Sequence, residues 1–149
     1  MRCIDKSELI SFEPVLTKKA KYALNALSFI AQQDLKNPQT AATIAKENNI
    51  PLKFLESILS ELKKNGTLKS IHGKGGGYLL RKSPYEIRIV DILRLFDGAV
   101  GLIPCTTHQY FEPCLECKDI EACKIRWMFK ELRDINVAFL KEKSLADLI

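Results

Sequence analysis

The stretch PLKFLESILSELKKNGTLKSIHGKGGGYLLRK, residues 51–82, decides the fold. Its first half carries Leu52, Leu55, Ile58, Leu59 and Leu62 three and four positions apart, the apolar stripe of one helix face. Pro51 suits the first turn of that helix and Gly66 its stop. The second half, TLKSIHGKGGGYLLRK, reads as a β-hairpin of two short strands around a glycine turn. Lys69, His72, Lys74, Arg81 and Lys82 surround its tip. The glycines form neither G-x-x-x-x-G-K-[ST] nor a true G-x-G-x-x-G, and they follow a helix and a short strand. A nucleotide-phosphate loop is therefore set aside. Positive φ in the turn and close approach of backbone to DNA explain the glycines better.

Upstream, Tyr22, Ala23, Ala26, Leu27, Ile30 and Ala31 keep helical spacing, with Thr17 as cap and Asn37-Pro38 as break. Thr40 opens a second helix, TAATIAKEN, with Ala41, Ile44 and Ala45 inward, and Asn48-Asn49 ends it. Taken alone, the second and third helices fit any packed pair. Followed by a basic hairpin, they are a winged helix-turn-helix. In that arrangement the third helix enters the major groove and the wing reaches phosphates or the adjacent minor groove.

Downstream, IRIVDILRLFD (87–97) reads as a short strand and a helix that Gly98 ends. Then CTTHQYFEPCLECKDIEAC packs Cys105, Cys114, Cys117 and Cys123 into residues 105–123. In KIRWMFKELRDINVAFL, Ile125, Met128, Phe129, Leu132, Ile135 and Phe139 lie at helical spacing between charged flanks, a long amphipathic helix. Its apolar face needs a partner, and paired half-sites on DNA favour a second copy of the chain. The expected fold is mainly α with a small β-hairpin. A flexible arm (1–14) leads into a winged helix-turn-helix DNA-binding domain (15–98). A cysteine-containing sensor loop (99–123) and a dimerisation helix with its tail (124–149) follow.

Charge supports this division. Residues 15–98 hold 14 Lys/Arg against 7 Asp/Glu, a surplus of +7, whereas residues 99–149 hold 7 against 8, or −1. A polyanion such as double-stranded DNA is the simplest partner for the basic part. With 46% hydrophobic and 28% charged residues, the 149-residue chain has an ordinary globular composition. No apolar run approaches a membrane span, and no signal-peptide core opens the chain, so a cytoplasmic protein with no membrane partner is expected. Structural disulfides are rare in a reducing cytosol, which leaves metal binding or thiol redox chemistry for the clustered cysteines. Four thiolates and a C-x2-C pair can hold zinc or an iron–sulfur cluster, and the spacing alone favours zinc. Free thiols acting through oxidation are a third reading. His108 lies in the loop as a further possible ligand. Trp127 is expected to pack the start of the long helix or shield a cluster. Cys3, in the arm, reads as an ordinary thiol. No nucleophile–base pair, nucleotide loop or carboxylate pair marks an enzyme.

In LTKKAKYAL, FLESILSELKKNGTLKSIHGKGGGYLL, VDILRLFDG, the cysteine segment and the closing LADLI, the chain resembles the Rrf2 family of bacterial winged-helix regulators, the type that includes IscR, NsrR and CymR. The resemblance implies a dimeric DNA-binding repressor or activator, with an iron–sulfur cluster (2Fe-2S or 4Fe-4S) on three cysteines; zinc, read from the spacing, stays as the alternative. Cys105 falls at the register of the first cluster cysteine and Cys117-x5-Cys123 at that of the last two; Cys114 is an extra thiol, either the fourth ligand or a replacement for Cys105 in a tighter set. Candidate DNA contacts are Lys53, Glu56 and Ser57 on the helix, and Lys69, Ser70, His72, Gly73, Lys74, Gly75, Gly76 and Tyr78 on the wing. Some positions depart from the pattern. Arg126 stands where IscR-like members carry a ligand histidine, and Lys21 where NsrR-like members carry an acidic residue. His72 replaces a frequent wing arginine, and histidine is in general the weaker cation at neutral pH.

Overall fold

The computed structural model describes residues 16–34, 36–98, 100–107, 111–114 and 119–149. The arm 1–14, with Cys3, and the predicted site residues His108 and Cys117 lie outside the described residues.

Thr17 caps the first helix, α1 (Lys18–Gln32), its hydroxyl oxygen accepting from the Ala20 amide at 3.2 Å. Ala20, Ala23, Ala26, Leu27 and Ile30 are buried, and the three alanines let neighbouring elements come close. Thr40 caps α2 (Ala41–Glu47) in the same way, accepting from the Thr43 amide at 3.1 Å. Asn49 takes a left-handed conformation (φ 52°) and turns the chain into α3 (Leu52–Lys64). Pro51 is the cap residue of α3, so the helix starts one residue later than its sequence suggests. Leu55, Ile58, Leu59 and Leu62 are fully buried, whereas Leu52, expected on the same stripe, is 42% exposed because it opens the first turn.

The hairpin pairs β1 (Leu68–Ile71) with β2 (Gly77–Leu80) antiparallel, from Leu68 opposite Leu80 to Ile71 opposite Gly77. Its turn needs its glycines. Gly73 and Gly75 have φ of 96° and 80°, and a Cβ on Gly76 would collide with the Ile71 carbonyl oxygen. Gln39 and Tyr78 exchange backbone hydrogen bonds of 3.0 and 2.8 Å, which stitch the hairpin to the segment before α2.

Residues 87–97 differ from expectation. No strand forms there. A 3₁₀ turn, Pro84–Glu86, leads to Arg88, which makes one isolated antiparallel bridge to Ser144. The bridge cannot lengthen, because α4 (Ile89–Asp97) starts on one side and a 3₁₀ turn (Leu145–Leu148) on the other. Two backbone bonds hold it: Ile89 N to Lys143 O at 3.0 Å and Leu145 N to Ile87 O at 2.8 Å.

Through this bridge the last long helix, α5 (Lys124–Glu142), returns its tail to the first domain. Leu145 is completely buried in one cluster with Leu27, Ile58, Leu62 and Ile92. The tail is thus part of the winged-helix core, although the sequence groups it with the dimerisation helix. The result is a mostly helical winged helix-turn-helix with a two-stranded wing. No described helix is long and apolar enough to cross a membrane.

Candidate DNA face and cysteine pocket

Because Leu55, Ile58, Leu59 and Leu62 point inward, α3 turns Lys53, Glu56 and Ser57 outward, all three exposed on one side. Phe54, half out of the core, sets its ring edge against Tyr22 of α1, with centroids 5.8 Å apart. Lys19 of α1 pairs with Glu61 of α3 at 2.6 Å, and this pair helps fix the helix that carries the outward face. On the wing, Lys69, His72, Gly73, Lys74 and Gly75 are exposed, while Ser70 and Gly76 are half-buried. Tyr78 differs from the other candidate contacts: it is half-buried and packs against the core, a role that follows from its pairing with Gln39.

The cysteine segment is anchored by a 3₁₀ turn, Pro104–Thr106, which Thr106 and Thr107 tie down by donating their hydroxyls to Ile103 O and Pro104 O at 2.8 and 2.9 Å. This holds Cys105 half-buried. Cys123 is the cap residue of α5, and its sulfur accepts from the Arg126 amide at 3.4 Å. Cys105, Cys123 and the exposed Cys114 line one cavity of about 390 Å³. Ile103, Pro104, Pro113, Ile120, Ile125, Glu112 and Arg126 complete its wall. Among the described residues no three Cys, His, Asp or Glu side chains converge closely enough to hold one metal ion. Soft thiol donors in a mostly apolar cavity nevertheless have the chemistry that zinc or an iron–sulfur group requires.

A winged helix followed by such a segment has known relatives. The model of the Rrf2 family, described as iron-dependent transcriptional regulators, matches residues 16–149. The chain belongs to the Rrf2 family. An rrf2-like HTH-type transcriptional regulator of Rhodobacter capsulatus is 36% identical over 138 residues, covering 91% of this chain and 92% of the relative. The HTH-type transcriptional regulator IscR of Photorhabdus laumondii is 31% identical over 134 residues, covering 90% and 78%. Among solved structures, CymR, the global cysteine regulator of B. subtilis, superposes with a TM-score of 0.72 at 28% identity, covering 89% of this chain and 93% of that one. These relatives are transcriptional regulators rather than enzymes, and this Rrf2 chain is a transcriptional regulator of the same kind.

The long helix of this Rrf2 chain shows what the sequence reading missed. Ile125, Met128, Leu132, Ile135 and Phe139 form an outward stripe, between 39% and 63% exposed. Phe129, assigned to the same face, is half-buried on the inward side with Arg126, Arg133 and Leu140. Trp127, expected to pack the helix start, is 68% exposed. Arg133 is the one buried residue of α5. It donates to the Thr106 carbonyl, and to Asp134 Oδ1 from Nε at 2.8 Å and Nη2 at 2.5 Å. Arg126 donates from Nε to the Cys105 carbonyl at 3.2 Å. Two arginines one heptad apart thus hold two successive carbonyls of the cysteine segment. Their spacing was available in the sequence, but a search for apolar periodicity passes over it.

Proposed function

We propose that this Rrf2 regulator is a homodimer that binds double-stranded DNA with α3 and the wing, and that a metal–sulfur group on its cysteines sets the affinity. The cavity shared by Cys105, Cys114 and Cys123 is the observation that carries this reading. Those three residues and Cys117 would hold the group, with Cys117 assigned by spacing alone. When bound, an iron–sulfur cluster supplies a centre that iron supply, oxidants or nitric oxide can change. The family's description as iron-dependent transcriptional regulators favours an iron–sulfur cluster over zinc.

The chain's own residues link this pocket to the DNA face. Arg126 and Arg133 join the cysteine segment to α5, and the tail of α5 ends in the winged-helix core at Leu145. The outward stripe of α5 would pair with the same stripe of a second copy, placing two recognition helices over two half-sites. A change at the pocket then shifts a two-state equilibrium between arrangements that bind DNA differently.

Anaerobic purification followed by visible absorption and iron, sulfide and zinc analysis tests the ligand assignment. Brown protein with matching iron and sulfide is expected, and the colour should be lost in Cys123→Ala. Colourless protein with stoichiometric zinc would support the structural-zinc alternative, and metal-free protein the thiol switch.

A further inference from the structure

Arg126 is the residue of α5 that reaches both ends of the proposed ligand set. Its amide donates to the sulfur of Cys123 at 3.4 Å, and its guanidinium Nε donates to the carbonyl of Cys105 at 3.2 Å. The two cysteines are 18 positions apart, and this one residue bridges them, through its backbone amide to Cys123 and its side chain to Cys105. Arg126 is part of the cavity wall, and its side chain is only 20% exposed. Its acidic neighbour, Glu121, stands 3.6 Å away with a side chain 87% exposed, so solvent weakens that pair. A guanidinium keeps its charge at every relevant pH.

Consider what a thiolate-bound group does to this cavity. Each thiolate adds a negative charge, and four on a dication leave a net charge of −2. Ile103, Pro104, Pro113, Ile120 and Ile125 offer nothing to offset it. Arginine cannot ligate metal, but it can hold a ligand in place and balance charge. We propose that Arg126 is a positioning residue and fixed counter-cation of the thiolate site, anchoring Cys105 and Cys123 together. Position 126 thus serves the site through charge and backbone contact. This rests on the metal–thiolate reading above and deepens it.

The test uses full-length protein, stripped of metal by chelation under anaerobic conditions, and titrated with Co²⁺ alone. Wild type, Arg126→Lys and Arg126→Leu are compared by the sulfur-to-cobalt charge-transfer bands, with circular dichroism of the cobalt-free forms to establish folding. Arg126→Leu is expected to raise the Co²⁺ dissociation constant about tenfold or more, the usual cost of losing an outer-layer partner of a ligand. Arg126→Lys, which keeps the charge but not the forked geometry, should recover part of that loss. Band intensity per bound Co²⁺ should stay unchanged, because no ligand is removed. Equal affinity of Arg126→Leu and wild type would overturn the inference, as would Arg126→Lys binding no better than Arg126→Leu. A lower band intensity per Co²⁺ in both variants would do the same, because it would put Arg126 in control of ligand number. Wild-type protein without thiolate bands would overturn the metal–thiolate reading and this inference together.

Discussion

The winged-helix half and the α5 half of this regulator solve the burial problem in opposite ways. In α1, α2 and α3 the apolar stripes face one another, and Leu27, Leu55, Ile58, Leu59 and Leu62 are sealed from water within a single chain. In α5 the inward face carries two arginines beside Phe129 and Leu140, and a second apolar stripe faces out. The first half completes its own core. The second ties itself to the first by polar bonds and a buried tail, and keeps an apolar stripe exposed.

The contrast can be broken at its strongest point first. Leu59 is fully buried, so Leu59→Ala should cost about 2–5 kcal/mol in denaturant unfolding at fixed protein concentration. A loss below about 1 kcal/mol would mean that the first half is not the packed core described. Ile135 is 59% exposed on the outward stripe. Ile135→Glu should leave the helical circular dichroism spectrum intact and raise the dimer dissociation constant about a hundredfold in sedimentation, the weight of one central anchor. A variant that stays dimeric at the wild-type affinity removes this stripe from the interface.

A smaller effect separates the DNA face from the rest. Replacing Lys53 and Lys74 together by Ala should weaken DNA binding about tenfold. The salt dependence should become shallower by about one unit for each phosphate that a lysine no longer neutralises. An unchanged salt slope would place neither lysine on the phosphates. Smallest of all is an acid effect on the tail. Hydrogen bonds from the Ser144 amide and hydroxyl, then the nearby Lys143 charge, hold the Asp147 carboxyl below its ordinary value of 3.8. A depressed carboxyl contributes stability above its unfolded pKa and loses it as pH falls through the lower folded value. Thermal melts below pH 4 should therefore show a slight extra fall that Asp147→Asn lacks. Identical acid profiles for the two proteins would remove this contribution.

The winged half was readable because its signals are local. Thr17 and Thr40 cap where they were expected to, Gly66 ends α3, and the turn glycines adopt the positive φ that the hairpin needs. The short strand read at the start of 87–97 misled because Ile87, Ile89 and Val90 are buried, yet two of them belong to a helix, and the lone bridge of Arg88 is to a residue 56 positions away. The cysteine segment was legible as chemistry but not as geometry. Spacing identifies thiols, whereas the shared cavity depends on Arg126 bonding to a carbonyl 21 residues earlier. Phe129 was misplaced for a related reason: it shares the inward face of α5 with Arg126 and Arg133, which a hydrophobic pattern does not count.

The claim that the cysteine pocket governs the DNA face is tested most directly by binding. Duplexes are selected from a random-sequence library with anaerobically purified protein, and one selected duplex is titrated with that protein and with the same protein stripped by chelator. Affinities that differ by about fivefold or more, the lower end of ordinary site-to-site coupling, are the expected result. Equal affinities for both forms, with the metal shown to be present in one and absent from the other, would contradict the account.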